Sequence, residues 1–247
     1  MLVAAAVCPC PPLLVPEVAA GAAPELDAVR DACAEALGVL AAARPELLVV
    51  VGPADPPGRG PHAEGATGSF RGFGVDLGVR LGRATGPAAG DSAEKSPEAG
   101  DALPPSLAVG AWLLSRAGWT DAPVEALGVG EQLETGRCVD AGRNLAVRAD
   151  RVALLVMGDG SACRTLKAPG YLDERAEAFD SAAARALGEA DPEALIALDA
   201  VLAYELKAAG RAPWQVLAGA ARGTALTGRL LREEAPYGVN YLVAAWS

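Results

Sequence analysis

Leu2-Val3-Ala4-Ala5-Ala6-Val7 is an unbroken apolar run that stops at Cys8-Pro9-Cys10-Pro11-Pro12. Such a run, bounded by prolines, reads as a buried strand, because a strand covered on both faces loses the polar alternation of a half-exposed one. From Pro24 to Ala43 the apolar residues Leu26, Val29, Cys33, Leu37 and Leu40 recur at helical spacing. Glu25, Asp27 and Asp31 come early in that stretch, where the helix dipole favours acids. Leu47 to Val51 (LLVVV) then runs into Gly52-Pro53. Strand, helix and strand in succession predict a crossover unit whose two strands run parallel.

The pattern continues outward from this unit. Gly72 to Leu81 alternates weakly and suits an edge strand, although its glycines weaken the pattern. Residues 82–105 are rich in Gly, Ala, Pro and acids without periodicity, which predicts a flexible loop, either a solvated excursion or a lid. Ser106 is placed to cap a helix running to Arg116. Pro123 to Val129 and Arg151 to Met157 are further strands, the second ending in Gly158-Asp159-Gly160-Ser161. From Asp173 to Ala221 the spacing is helical with breaks near Gly188 and Gly210, predicting two or three helices. Two final strands meet at Ala235-Pro236-Tyr237-Gly238, a turn sequence. The expectation is one α/β domain over residues 1–247, with a central, largely parallel or mixed sheet flanked by helices.

Composition narrows the function. The chain has 247 residues, 51% hydrophobic and 21% charged, which fits a globular fold and excludes a disordered tail. A net charge of -10 argues against a nucleic-acid binder, which needs a basic face to meet phosphates. Small molecules or other proteins are the expected partners. Five cysteines are an odd number, too scattered for a disulfide framework, so a reducing cytoplasm is expected. No run approaches the roughly twenty apolar residues that cross a bilayer. The first apolar run lacks the basic flank and the length of an export signal.

Ligands of open α/β sheets bind beyond the carboxyl ends of the strands. Three segments therefore hold the candidate chemistry: Cys8 to Pro12, Gly52 to Thr67 and Gly158 to Lys167. The pocket candidates are Cys10, Pro11, Asp55, Gly158, Asp159, Ser161, Arg164 and Tyr237. Gly158 to Lys167 follows a buried strand and carries Arg164 and Lys167, so it is a possible cradle for a carboxylate or phosphate through its backbone N–H groups. Cys163 is a nucleophile candidate with no histidine beside it.

The opening Ala6-Val7-Cys8-Pro9-Cys10-Pro11-Pro12-Leu13-Leu14-Val15-Pro16-Glu17 resembles the start of the catalytic B subunit of class III extradiol dioxygenases. The likeness continues through Val49-Val50-Val51-Gly52-Pro53, Met157-Gly158-Asp159-Gly160-Ser161 and Glu234-Ala235-Pro236-Tyr237-Gly238-Val239, and so spans the chain. It is nearest to an alanine-rich branch of that family. The resemblance implies an α/β fold, a homodimer or a sister subunit, and an Fe(II) held by two histidines and a carboxylate. Such a face leaves coordination positions open for a diol and O₂. By the same resemblance the first ligand falls at Cys10 and the second at Ala54 and Asp55. The proton-transfer histidine falls at Ala162 and Cys163, and the carboxylate at Glu234 or Glu233. The chain owns a single histidine, His62, so two imidazole ligands and an imidazole acid-base group are excluded by count. The expected function is a family member that has lost its iron site and acts as a non-catalytic homologue or subunit, with no cofactor. The alternative is an active ring-cleaving dioxygenase or hydrolase with a rearranged metal set of Cys10, Asp55, His62 and Glu234, a thiolate and imidazole mixture that suits Zn(II).

Overall fold

The computed structural model describes residues 1–83 and 102–247. The opening run forms β1 (Leu2–Cys8), buried along nearly its whole length. Two short helical turns follow, the second being α1 (Pro16–Ala19), before α2 (Asp27–Ala42). The expected helix starts three residues late because Pro24 sits in a 3₁₀ segment, Ala20–Leu26, that precedes it. β2 (Leu47–Pro53) is followed by β3 (Gly60–His62), β4 (Thr67–Ser69) and β5 (Gly78–Arg80). Only Gly78–Arg80 of the expected 72–81 strand pairs, with β4, and Arg71–Phe73 is a 3₁₀ turn instead. Most of the 82–105 loop, residues 84–101, lies outside the described residues.

α3 (Pro105–Arg116) begins one residue before the expected cap. Pro105 takes the first helical position, where a missing N–H costs nothing, and Ser106 instead donates its hydroxyl to the Pro53 carbonyl at 2.5 Å. β6 (Val124–Val129), α4 (Thr135–Ala146) and β7 (Val152–Met157) follow. Beyond them lie α5 (Ala176–Glu189), α6 (Pro192–Ile196), α7 (Ala200–Glu205) and α8 (Arg211–Ala221). Four helices stand where two or three were expected. Asp191 and Asp199 each cap a fresh N-terminus with the side chain, restarting the helix twice between the two glycine breaks. β8 (Gly228–Glu234) and β9 (Tyr241–Trp246) form the expected final hairpin.

Among the described residues the main sheet has seven strands in the order β3-β6-β2-β7-β1-β9-β8. β6, β2, β7 and β1 are parallel, and the other three are antiparallel to their neighbours. β1 and β2 are parallel as expected, but β7 lies between them. Residue alternation divides the core into two layers. Ala4, Ala6, Cys8, Leu48, Val50 and Leu155 face α2 and α3, while Ala5, Val7, Val49, Leu154 and Val156 face α4, α5 and α8. α4 and α8 approach so closely that a Cβ on Gly142 would lie 1.9 Å from the Val216 carbonyl, and one on Gly219 would lie 2.2 Å from that of Val139. The parallel strands all point their carboxyl ends to one rim, where Cys10, Ala54, Glu131 and Asp159 follow β1, β2, β6 and β7.

Candidate functional site

The four strand ends are tied together by backbone. Gly158 donates its N–H to the Cys8 carbonyl at 2.9 Å, and Ala54 donates to that of Val129 at 2.7 Å. Gly210, just before α8, donates to the Asp159 carbonyl at 2.8 Å. A Cβ on Gly158 would sit 2.5 Å from the Gly210 Cα, so glycine at this point lets the helix start abut the end of β7.

On this frame Asp159 and Cys10 form a pair. Cys10 donates its N–H to Asp159 Oδ1 at 2.9 Å, and its thiol donates to Oδ2 at 3.6 Å. Burial pushes the Asp159 carboxyl up to about 6, against the opposing pull of the two Cys10 bonds. Burial, and then the charge of Asp159, hold the Cys10 thiol well above the usual thiol range, so Cys10 is a protonated donor and not a thiolate. Tyr241 opens β9 and is 1% exposed. The β1–β9 register pairs Ala5 with Trp246 and Val7 with Ala244, which brings the start of β9 to the rim beyond β1. Burial, followed by the charge of Asp159, raises the phenol above its usual range.

Beside Cys10 a cleft of about 350 Å³ opens between the ends of β1 and β2, the start of α3 and the segment after β6. Its polar lining is Cys10, Asp55, Ser106 and Glu131, and four prolines supply much of the apolar wall. Arg211 holds the Glu131 segment from behind. Its guanidinium is buried and donates to the Leu133 carbonyl at 2.7 Å, to that of Glu131, and to Gln215 Oε1 at 3.0 Å. Gln215 Nε2 is in turn spent on the carbonyls of Leu195, Ile196 and Leu198. A cation thus buried against carbonyl dipoles, with the charges of Glu131 and Glu134 acting on it, fixes the loop after β6.

The expected anion cradle is overturned by where its donors go. Gly160 N–H bonds the Asn240 carbonyl, Ala162 that of Leu206 and Arg164 that of Gly238, each at 2.8 to 3.0 Å. Ser161 gives both its N–H, at 2.7 Å, and its hydroxyl, at 2.6 Å, to the fully buried carboxylate of Asp180. Arg164 pairs with the same carboxylate at 3.2 Å, so its charge is internally matched. Lys167 stands exposed. Cys163 is buried, donates to the Leu206 carbonyl at 3.5 Å, and has its pKa raised by burial, which removes it as a nucleophile.

The rearranged metal set is not assembled either. Cys10 and Asp55 share the cleft, but His62 lies on β3, with its ring nitrogen 3.0 Å from the Gly58 carbonyl, and does not line it. Glu234 lies on β8, the opposite edge of the sheet, paired with Arg232. Six strand intervals of about 4.8 Å separate those edges, too far for one ion to span. Glu233 accepts from Asn240 Nδ2 at 3.4 Å, Tyr237 donates to Glu25 at 2.9 Å, and Pro11 begins the turn that follows β1. Among the described residues no group of three or more His, Cys, Asp and Glu is placed to hold a metal ion. The donors at the implied iron positions, a protonated thiol and an alanine methyl beside one exposed carboxylate, do not fit a two-histidine, one-carboxylate centre. Sequence reading missed Ser106, Glu131, Asp180, Arg211 and Tyr241, since each acquires its role from a partner distant in the chain.

No protein-family model matches this chain, and no curated protein matches it. Among solved structures it is similar to an uncharacterized protein from Escherichia coli K12, with a TM-score of 0.51 and 14% sequence identity over 99% of each chain. At that identity the likeness is one of fold.

Proposed function

We propose that this chain is an extradiol dioxygenase-like α/β protein that works without the iron centre, as a non-catalytic homologue or subunit that keeps the strand-end cleft for a small-molecule ligand. One observation carries the reading. At the rim where the resemblance expects imidazoles, the chain has a thiol bonded to Asp159 and the buried methyl of Ala54, while its sole imidazole is bonded to Gly58 on an edge strand. An iron that must chelate a diol and O₂ side by side needs neutral nitrogen ligands and a carboxylate on one face, and these residues offer neither that set nor that placement. A metal enzyme built on His62 and Glu234 draws no support from side chains at opposite sheet edges.

The test is loading with Fe(II) under anaerobic conditions, elemental analysis after desalting, then addition of catechol and O₂. The expected result is iron far below one per chain and no yellow ring-cleavage product. Stoichiometric iron with turnover overturns the reading.

A further inference from the structure

We infer that the first turn of α8 holds a small monovalent anion, a chloride or another halide, inside the chain. Two enclosed donors there have no acceptor: among the described residues nothing takes a hydrogen bond from Arg211 Nε or from Trp214 Nε1. Arg211 is 1% exposed and Trp214 not at all. They stand three positions apart on α8, a spacing that makes side chains neighbours on one helix surface. The Trp214 ring leans back over the helix start, since a Cβ on Gly210, the residue before α8, would lie 2.5 Å from the indole Cε2, the carbon bonded to Nε1. The free indole N–H is therefore held at the same helix end as Arg211, the first residue of α8. No side chain caps that end, and its dipole is positive.

Charge selects an anion over a water molecule. The other nitrogens of the Arg211 guanidinium bond only neutral acceptors, the carbonyls of Glu131 and Leu133 and the Gln215 amide oxygen. The carboxylates of Glu131 and Glu134 act on it from exposed positions where water screens them, and neither forms an ion pair with it. Glu134 is spent on the N–H groups of Gly136 and Arg137. Burial outweighs these charges and pulls the Arg211 pKa below its usual range. Asp159 turns its carboxyl to Cys10 and offers Gly210 only its carbonyl. A water molecule would satisfy the two N–H groups and leave the guanidinium undercompensated, whereas a halide does both. A sulfate or phosphate is the wrong guest, because two donors leave most of its oxygens buried without a partner.

Thermal melts of the whole chain in sodium gluconate, with chloride, bromide or sulfate replacing gluconate at fixed ionic strength, test the site. Chloride and bromide are expected to raise the midpoint saturably, by about 3 °C once the halide stands at roughly ten times its dissociation constant, and sulfate is not. Trp214→Phe keeps the ring, removes the N–H and should lose most of that rise, while Trp112→Phe on α3 should keep it. A crystal of the unsubstituted chain grown in bromide needs no variant to fold, and should show an anomalous scatterer within hydrogen-bond reach of both Arg211 Nε and Trp214 Nε1. A midpoint that does not distinguish halide from gluconate, a rise that Trp214→Phe keeps in full, or bromide found only on the surface with a water molecule between the two nitrogens overturns the inference. Iron loading and catechol cleavage do not bear on it, so its failure leaves the metal-free reading standing.

Discussion

Asp159 spends both carboxyl oxygens on one neighbour, Cys10, and gains no cation in return. Folding therefore raises its pKa from 3.8 to about 6, so the folded chain holds the proton more tightly than the unfolded one. That contribution to stability is fully present below about pH 4 and is lost as pH rises through about 6. Asp159→Asn keeps an acceptor for the Cys10 N–H and removes the buried charge. Urea unfolding should show the variant more stable than the parent by about 1 to 2 kcal/mol near neutral pH, with the difference shrinking toward pH 4. A variant less stable than the parent at neutral pH would mean that the carboxylate is compensated by a group not bonded to it here. Asp180 is the contrasting case: equally buried, it is matched by Ser161 and by Arg164, so Asp180→Asn should destabilise the chain by about 2 to 4 kcal/mol in the same assay.

At the scale of elements, one substitution has opposite signs on two helices. Gly142 on α4 faces the Val216 carbonyl with no room for a methyl, so Gly142→Ala forces α4 from α8 and should cost about 2 to 3 kcal/mol. Gly38 on α2 has nothing within 4 Å of an added Cβ, so Gly38→Ala should gain about 0.5 to 1 kcal/mol from helix propensity alone. Thermal melts of both variants check the pair, and equal shifts would contradict the packing. The same contrast explains what was legible. β1, β2 and β7 announce themselves, because strands covered on both faces must be apolar throughout. β3 does not, because three residues that include Pro61 carry no period; only the partner strand β6 makes Gly60–His62 a strand. The 173–221 region showed its glycine breaks, while the aspartate caps that subdivide it were overlooked although Asp191-Pro192 is a capping sequence.

Over the whole molecule, the five cysteines lie on β1, α2, α4 and the loops after β1 and β7, and all are buried free thiols. A thiol-specific disulfide reagent should label the native chain at well under one thiol, with Cys10 first, and all five together once urea unfolds it; rapid labelling of two or more in the native state would show a looser core than this one. The site was half legible for a related reason. Cys10, Asp55 and Asp159 stand at strand ends that the apolar runs reveal, but Tyr241 and Arg211 reach the same rim from residues far along the chain, and no local pattern encodes a pairing over such separations. The order β2-β7-β1-β9 has a last consequence. The first strand made has both its neighbours, β7 and β9, in the second half of the chain. A nascent polypeptide leaving the ribosome therefore carries β1 without a partner strand until Met157 has been made, and its second edge stays open until β9 has followed, so this apolar strand waits longest for cover.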